Sequence, residues 1–156
     1  MLMPSSSNKI RYHKTSRVSV NKKAVKKSKI EKPVIEMGLI HGRTPDSSYE
    51  YNIAQALDKY GWEYYYQLAV FGGTDVRGGQ KLDFLVFSRP FATALSVIGG
   101  YWHRDGQKEQ MKNTQMIQGL RAMGYHVANE VLSAFDEHAA TPDDAAAFIY
   151  KHFGRS

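Results

Sequence analysis

The chain contains no cysteine, which excludes disulfides and thiolate-held metals and leaves the redox compartment open. No apolar run approaches the roughly 18–20 residues that a membrane span requires, so no membrane partner is expected. The N-terminus lacks the apolar core of a secretory signal. His13, His41, His126, His138 and His152 follow no tetrahedral zinc spacing. The two Gly pairs at Gly72-Gly73 and Gly78-Gly79 lack the following Lys-Ser/Thr of a phosphate-binding loop. There is no Gly-x-Ser-x-Gly nucleophile elbow either. Acidic side chains are scarce at one end. Residues 1–33 hold ten Lys or Arg against Glu31 alone, a balance of +9, whereas the remainder holds eleven basic and fourteen acidic residues, a balance of −3.

What is present fits one folded domain behind a basic leader. With 156 residues, 42% of them hydrophobic, the chain is long enough for one real core and short for two. The low hydrophobicity and high charge of residues 1–33 predict a disordered tail. Such a tail binds nucleic acid by neutralising phosphates, with Lys22, Lys23, Lys26 and Lys27 at its densest part, or serves only as a solvated leader. Residues 34–45 read as a linker whose apolar stretch Val34–Ile40 can pack on the body. Residues 46–156 read as the folded domain. A cytoplasmic or nucleoid-associated location is expected, with organellar import the minor alternative, because the first thirty residues are basic, Ser-containing and nearly free of acids.

Within the domain, Pro45-Asp46-Ser47-Ser48 supplies helix caps, and the spacing predicts a helix over 49–60 with Tyr49, Ile53, Ala56, Leu57 and Tyr60 on its apolar side, ended by Gly61. Aromatic-rich 62–71 suits a strand. The glycine pairs bracket a hairpin loop at 72–79, and 80–87 is the returning strand. After Arg89-Pro90 a third strand is predicted over 94–99. A polar helix over 105–123 carries Met116, Leu120 and Met123 at i, i+4 and i+7. Alternation over 125–131 predicts a fourth strand, and Thr141-Pro142-Asp143-Asp144 opens a C-terminal helix to about Phe153 with Ala145, Phe148, Ile149 and His152 on one side. The order implies a mixed sheet flanked by helices, an α/β sandwich.

Asp83 is the sharpest chemical feature. It interrupts Leu82 and Phe84–Phe87, a strand apolar on both faces, and an ionised carboxylate there is costly to desolvate. A divalent metal or a pairing with Lys, Arg or backbone N–H groups offsets that cost. By period 2 it shares a face with Lys81, Leu85 and Phe87. Glu50, in the first turn of the first helix, is either a favourable dipole partner or an acid that orients a metal-bound water. His103 is a structural imidazole or a general base. Trp102 belongs to the core or, if exposed, stacks on or wedges between bases. Lys108 and Lys112, one helical turn apart, with Arg104 nearby, form a solvated face or a phosphate-contacting surface.

Tyr49-Glu50 on an opening helix, Leu82-Asp83-Phe84, and Val97-Ile98-Gly99-Gly100-Tyr101-Trp102-His103 together resemble the very-short-patch-repair-like endonucleases, a branch of the PD-(D/E)XK nuclease superfamily. The resemblance covers about residues 46–132. It implies a restriction-endonuclease-like core of helix, three strands, helix and strand. It further implies Mg²⁺, with Mn²⁺ as a substitute, held by Asp83 and a main-chain carbonyl near Val97. Glu50 and His103 would assist water attack on phosphorus, and Trp102 would be the intercalating aromatic. The resemblance thus implies a metal-dependent DNA endonuclease or nickase, of phage or mobile-element type, with RNA as the alternative target. The third strand reads Ile98-Gly99-Gly100 where the superfamily usually has Glu-x-Lys. That departure supports the alternative of a catalytically inactive nucleic-acid-binding or assembly protein on the same core.

Overall fold

A computed structural model describes residues 37–99 and 106–156. The first helix, α1 (Ser48–Lys59), starts where Ser47, in extended backbone, accepts the Glu50 N–H at 3.2 Å. This satisfies a donor that the helix cannot. It ends at Tyr60, and Gly61 takes the left-handed conformation (φ 79°) that turns the chain into the sheet. Then come β1 (Tyr64–Val70), β2 (Gln80–Val86), β3 (Thr93–Ile98), α2 (Gly106–Ala122), β4 (Leu132–Phe135), the short α3 (Asp136–Ala139) and α4 (Pro142–Phe153). α4 has Thr141 as cap, Pro142 in its first turn, Asp143 and Asp144 at its positive end and Lys151 and His152 at its negative end.

The four strands lie in the order β1-β2-β3-β4. β1–β2 and β2–β3 pair antiparallel, and β3–β4 pair parallel through the α2 crossover. This mixed sheet flanked by helices, with a C-terminal helix, is the architecture expected of a restriction-endonuclease-like core.

Two apolar clusters cover the sheet. On one side Ile53 and Leu57 of α1 and Phe148 and Ile149 of α4 pack on Tyr64, Tyr66, Phe84, Val86 and Leu95. Ile40, 2% exposed, joins this cluster, so the segment before α1 contributes to the core. Buried Asn52 is satisfied by the Ala139 carbonyl at 2.8 Å, tying α1 to α3. On the other side Met116, Ile117 and Leu120 of α2 pack on Val70, Leu82, Leu85, Ala94 and Val127. Each large side chain buried this way contributes about 1.5–3 kcal/mol. Gly119 lets α2 approach the sheet: a Cβ there would lie 2.4 Å from Val70 and 2.7 Å from the Phe71 ring.

Three expectations are corrected. The fourth strand is not 125–131 but Leu132–Phe135. Tyr125, Val127 and Val131 alternate because they face the α2-side cluster, while the chain there makes only one bridge, Val127 to Ala92. Met123 is 46% exposed, and Ile117 takes its place against the sheet. Finally, Leu85 and Asp83 do not share surroundings. Leu82 and Leu85 lie in one cluster and Phe84 and Val86 in the other. On β1 the same change separates Tyr66 from Leu68. It falls at Gln67, whose φ of 54° breaks the pleat opposite Asp83.

Candidate functional site

The pleat break at Gln67 and Asp83 coincides with a fork between strands. β2 and β3 pair from Val86–Thr93 to Phe84–Leu95, and the ladder stops there. β3 continues to Ile98 against β4. In the opening, Asp83 Oδ2 accepts the Val97 N–H at 2.8 Å and lies 3.4 Å from Ser96 Oγ. Asp83 thus takes, in part, the structural role that pairing with backbone N–H groups described. Its Oδ1 has no hydrogen-bond partner among the described residues.

Glu50 reaches the same region from α1. Ser47-x-x-Glu50 has capping-box spacing, but the Glu50 carboxylate turns to β1, where the Tyr66 hydroxyl donates a short hydrogen bond to Oε2. The Tyr66 oxygen in turn accepts from the Asp46 N–H at 3.3 Å and from Gln67 Nε2 at 3.0 Å. Glu50 is 7% exposed. Beside it, Lys81 Nζ pairs with Asp46 Oδ2 at 2.5 Å, and both groups keep solvent access. An ion pair so exposed contributes at most about 1 kcal/mol of stability, so its importance is positional.

The electrostatics follow burial. Desolvation raises the Glu50 carboxyl above its ordinary value; the Tyr66 hydrogen bond opposes this, and the Asp83 and Asp46 charges add to it. Desolvation likewise raises Asp83, opposed by the Val97 N–H, the Lys81 charge and Ser96. Tyr66 is pushed up by burial first and by Glu50 second. Asp46 is lowered, chiefly by its bond to Lys81, and Lys81 is raised by Asp46. Glu50 and Asp83 are therefore two desolvated carboxyls that resist ionising, with the Asp83 charge felt at Glu50 and the Lys81 ammonium acting on both.

Such a pair suits a hard divalent cation, which takes oxygen ligands and commonly only one or two carboxylates, with water and phosphate completing its shell. The second Asp83 oxygen, unengaged among the described residues, and the raised carboxyls are the features that fit. Among the described residues no three His, Cys, Asp or Glu side chains gather into a metal-holding group.

The structure thus brings Glu50 and Asp83 into one charge cluster. Lys108 and Lys112 lie exposed on α2. His103, Trp102 and Arg104, and Lys22, Lys23, Lys26 and Lys27, lie outside the described residues. Sequence reasoning passed over Tyr66, Gln67 and the Lys81–Asp46 pair. A signal for Tyr66 existed, since a tyrosine in an apolar strand needs a partner for its hydroxyl. Pairing across 16 to 35 residues left no local trace. No family model, no curated protein and no solved structure matches this chain.

Proposed function

We propose that this protein is a Mg²⁺-dependent DNA endonuclease or nickase whose centre is Asp83 with Glu50. The observation that carries the reading is a pair of desolvated carboxyls, Asp83 at a strand fork and Glu50 on the helix facing it, with Lys81 acting on both. Asp83 through Oδ1, with a main-chain carbonyl near Val97, would hold the cation. When bound, the cation supplies Lewis-acid stabilisation of phosphoryl charge and activation of water. Mn²⁺ can substitute for it.

The chain's own groups have distinct tasks. Tyr66 occupies Glu50 Oε2, which leaves Oε1 to accept a hydrogen bond from an attacking water and orient it. Lys81 swings from exposed Asp46 to a phosphate oxygen and stabilises the charge that builds there. It stands in for the lysine absent from β3. His103 as general base and Trp102 as intercalating aromatic remain part of the proposal through the resemblance. Arg104, Lys108, Lys112 and the basic tail hold the DNA backbone.

A second reading has its own support. The third strand has no acid, and the described residues contain no three-ligand cluster, so a nucleic-acid-binding or assembly protein would also account for the core. Supercoiled plasmid incubated with Mg²⁺ separates the two. The nuclease reading predicts nicked product that EDTA abolishes and that Lys81→Ala reduces. The binding reading predicts salt-sensitive retention of intact plasmid with either Mg²⁺ or Mn²⁺.

A further inference from the structure

Trp62-Glu63 leads into β1 at Tyr64-Tyr65, and aromatic rings gather at that end of the sheet. Trp62 is fixed by its indole N–H, which donates to the Gly154 carbonyl at 2.9 Å, and by the Phe153 ring at 5.9 Å. Tyr65, 47% exposed, meets Phe87 edge-on at 4.9 Å and 89°. The Phe87 N–H donates to the Glu63 carbonyl at 2.9 Å, which extends the β1–β2 pairing beneath these rings. His41 lies parallel to Tyr64 at 4.3 Å and 13°.

His41 is an uncommon choice for its position. It sits at φ 47° in a turn closed by reciprocal Ile40–Arg43 backbone hydrogen bonds of 2.8 and 2.9 Å. A non-glycine residue in that conformation carries strain. The turn nevertheless lays a flat imidazole on buried Tyr64, and His41 is itself exposed. Two adjoining cavities open here, of about 540 and 430 Å³, which share Trp62, Glu63 and Phe87. His41, Tyr64 and Tyr65 line the first, and Arg89 lines the second.

We infer that this cleft binds an unpaired nucleobase, stacked on the open face of the His41 ring with Tyr65 at the far lip of the cleft, and the adjoining phosphate on Arg89. The inference rests on the nucleic-acid reading of the carboxylate centre and adds a second contact for the same strand. Rigid aromatic faces beside one guanidinium are the elements of single-strand binding, because every base has a π-face and every linkage a negative charge. Glu63 adds an acceptor for the donors on a base edge. A purely apolar ligand would leave Arg89 and Glu63 without use. Continuity with the centre is direct: Tyr64, under His41, and Tyr66, on Glu50, are one pleat apart on β1, roughly 6.6 Å. The site therefore favours substrates with a frayed, flapped or mismatched nucleotide beside the cut.

The test uses the full chain as Asp83→Asn in EDTA, titrated with a single-stranded trinucleotide and, separately, with a blunt duplex, while backbone and indole N–H resonances are followed by NMR. The trinucleotide should shift Trp62, Glu63, Tyr65 and Phe87, and the blunt duplex should leave them in place. His41→Asn keeps a residue that tolerates positive φ and removes the ring. Tyr65→Thr keeps a strand former and removes the far lip. Each should weaken trinucleotide binding on the order of tenfold, and His41→Phe should restore it. Unmoved cleft resonances, or variants that bind as tightly as the parent, overturn the inference. Plasmid nicking by the wild-type chain is a separate readout: nicking with a silent cleft refutes only this site, and a responsive cleft without nicking refutes only the nuclease reading.

Discussion

Desolvation governs Glu50 and Asp83 more strongly than any single neighbour does, and this gives their titration a definite sign. Both carboxyls ionise above their ordinary range in the folded chain. The stability each contributes is therefore fully present below the unfolded carboxylate value and is lost as pH rises through the raised folded value. Glu50→Gln and Asp83→Asn remove a buried charge while keeping an oxygen that accepts a hydrogen bond. In urea unfolding each variant should match the wild type near pH 3.5 and exceed it at pH 7–8. Mg²⁺ should raise the wild-type midpoint at neutral pH, by about 1.4 kcal/mol at ten times its Kd, and leave the double variant unmoved. At this scale the sequence was partly legible. A carboxylate inside an apolar strand declares its own desolvation problem, so Asp83 could be picked out directly. Its solution could not, because Val97 N–H becomes available only through the way β2 and β3 separate.

At the scale of elements, the helices were legible because caps and periodicity are local. Ser47, Gly61, Thr141 and Pro142 mark boundaries that the folded chain keeps. The strands were less so. Period 2 assumes an unbroken pleat, and Gln67 breaks it, which carries Leu82 and Leu85 into one cluster and Phe84 into the other. Alternation over 125–131 recorded burial against α2 without sheet pairing. Gly119 shows the converse, a residue that weakens an isolated helix by about 1 kcal/mol relative to alanine yet is required by contact. Gly119→Ala should destabilise the chain by about 1–3 kcal/mol through overpacking against Val70 and Phe71. Thermal or denaturant unfolding measures this, and a stabilised variant would mean that α2 does not press on β1 so closely.

Across the whole molecule, charge divides sharply between the first 33 residues, at +9, and the remainder, at −3. A slightly acidic body with two desolvated carboxyls would repel a polyanion unaided, so the proposal assigns initial DNA capture to the tail. Changing Lys22, Lys23, Lys26 and Lys27 to Gln should weaken binding to every sequence alike and flatten the plot of log affinity against log salt by as much as about 3.6 in slope. An unchanged slope would place the phosphate contacts elsewhere.

The central claim is that Asp83 is the residue on which phosphodiester hydrolysis depends. Single-turnover nicking of supercoiled plasmid in Mg²⁺ tests it most directly, comparing wild type with Asp83→Ala at protein concentrations where both bind the plasmid fully. Expected are nicking by the wild type, its abolition by EDTA, and a loss of at least about a hundredfold in rate for Asp83→Ala with DNA binding retained. Equal nicked product from the two proteins, or none from the wild type with Mg²⁺ or Mn²⁺, would contradict it.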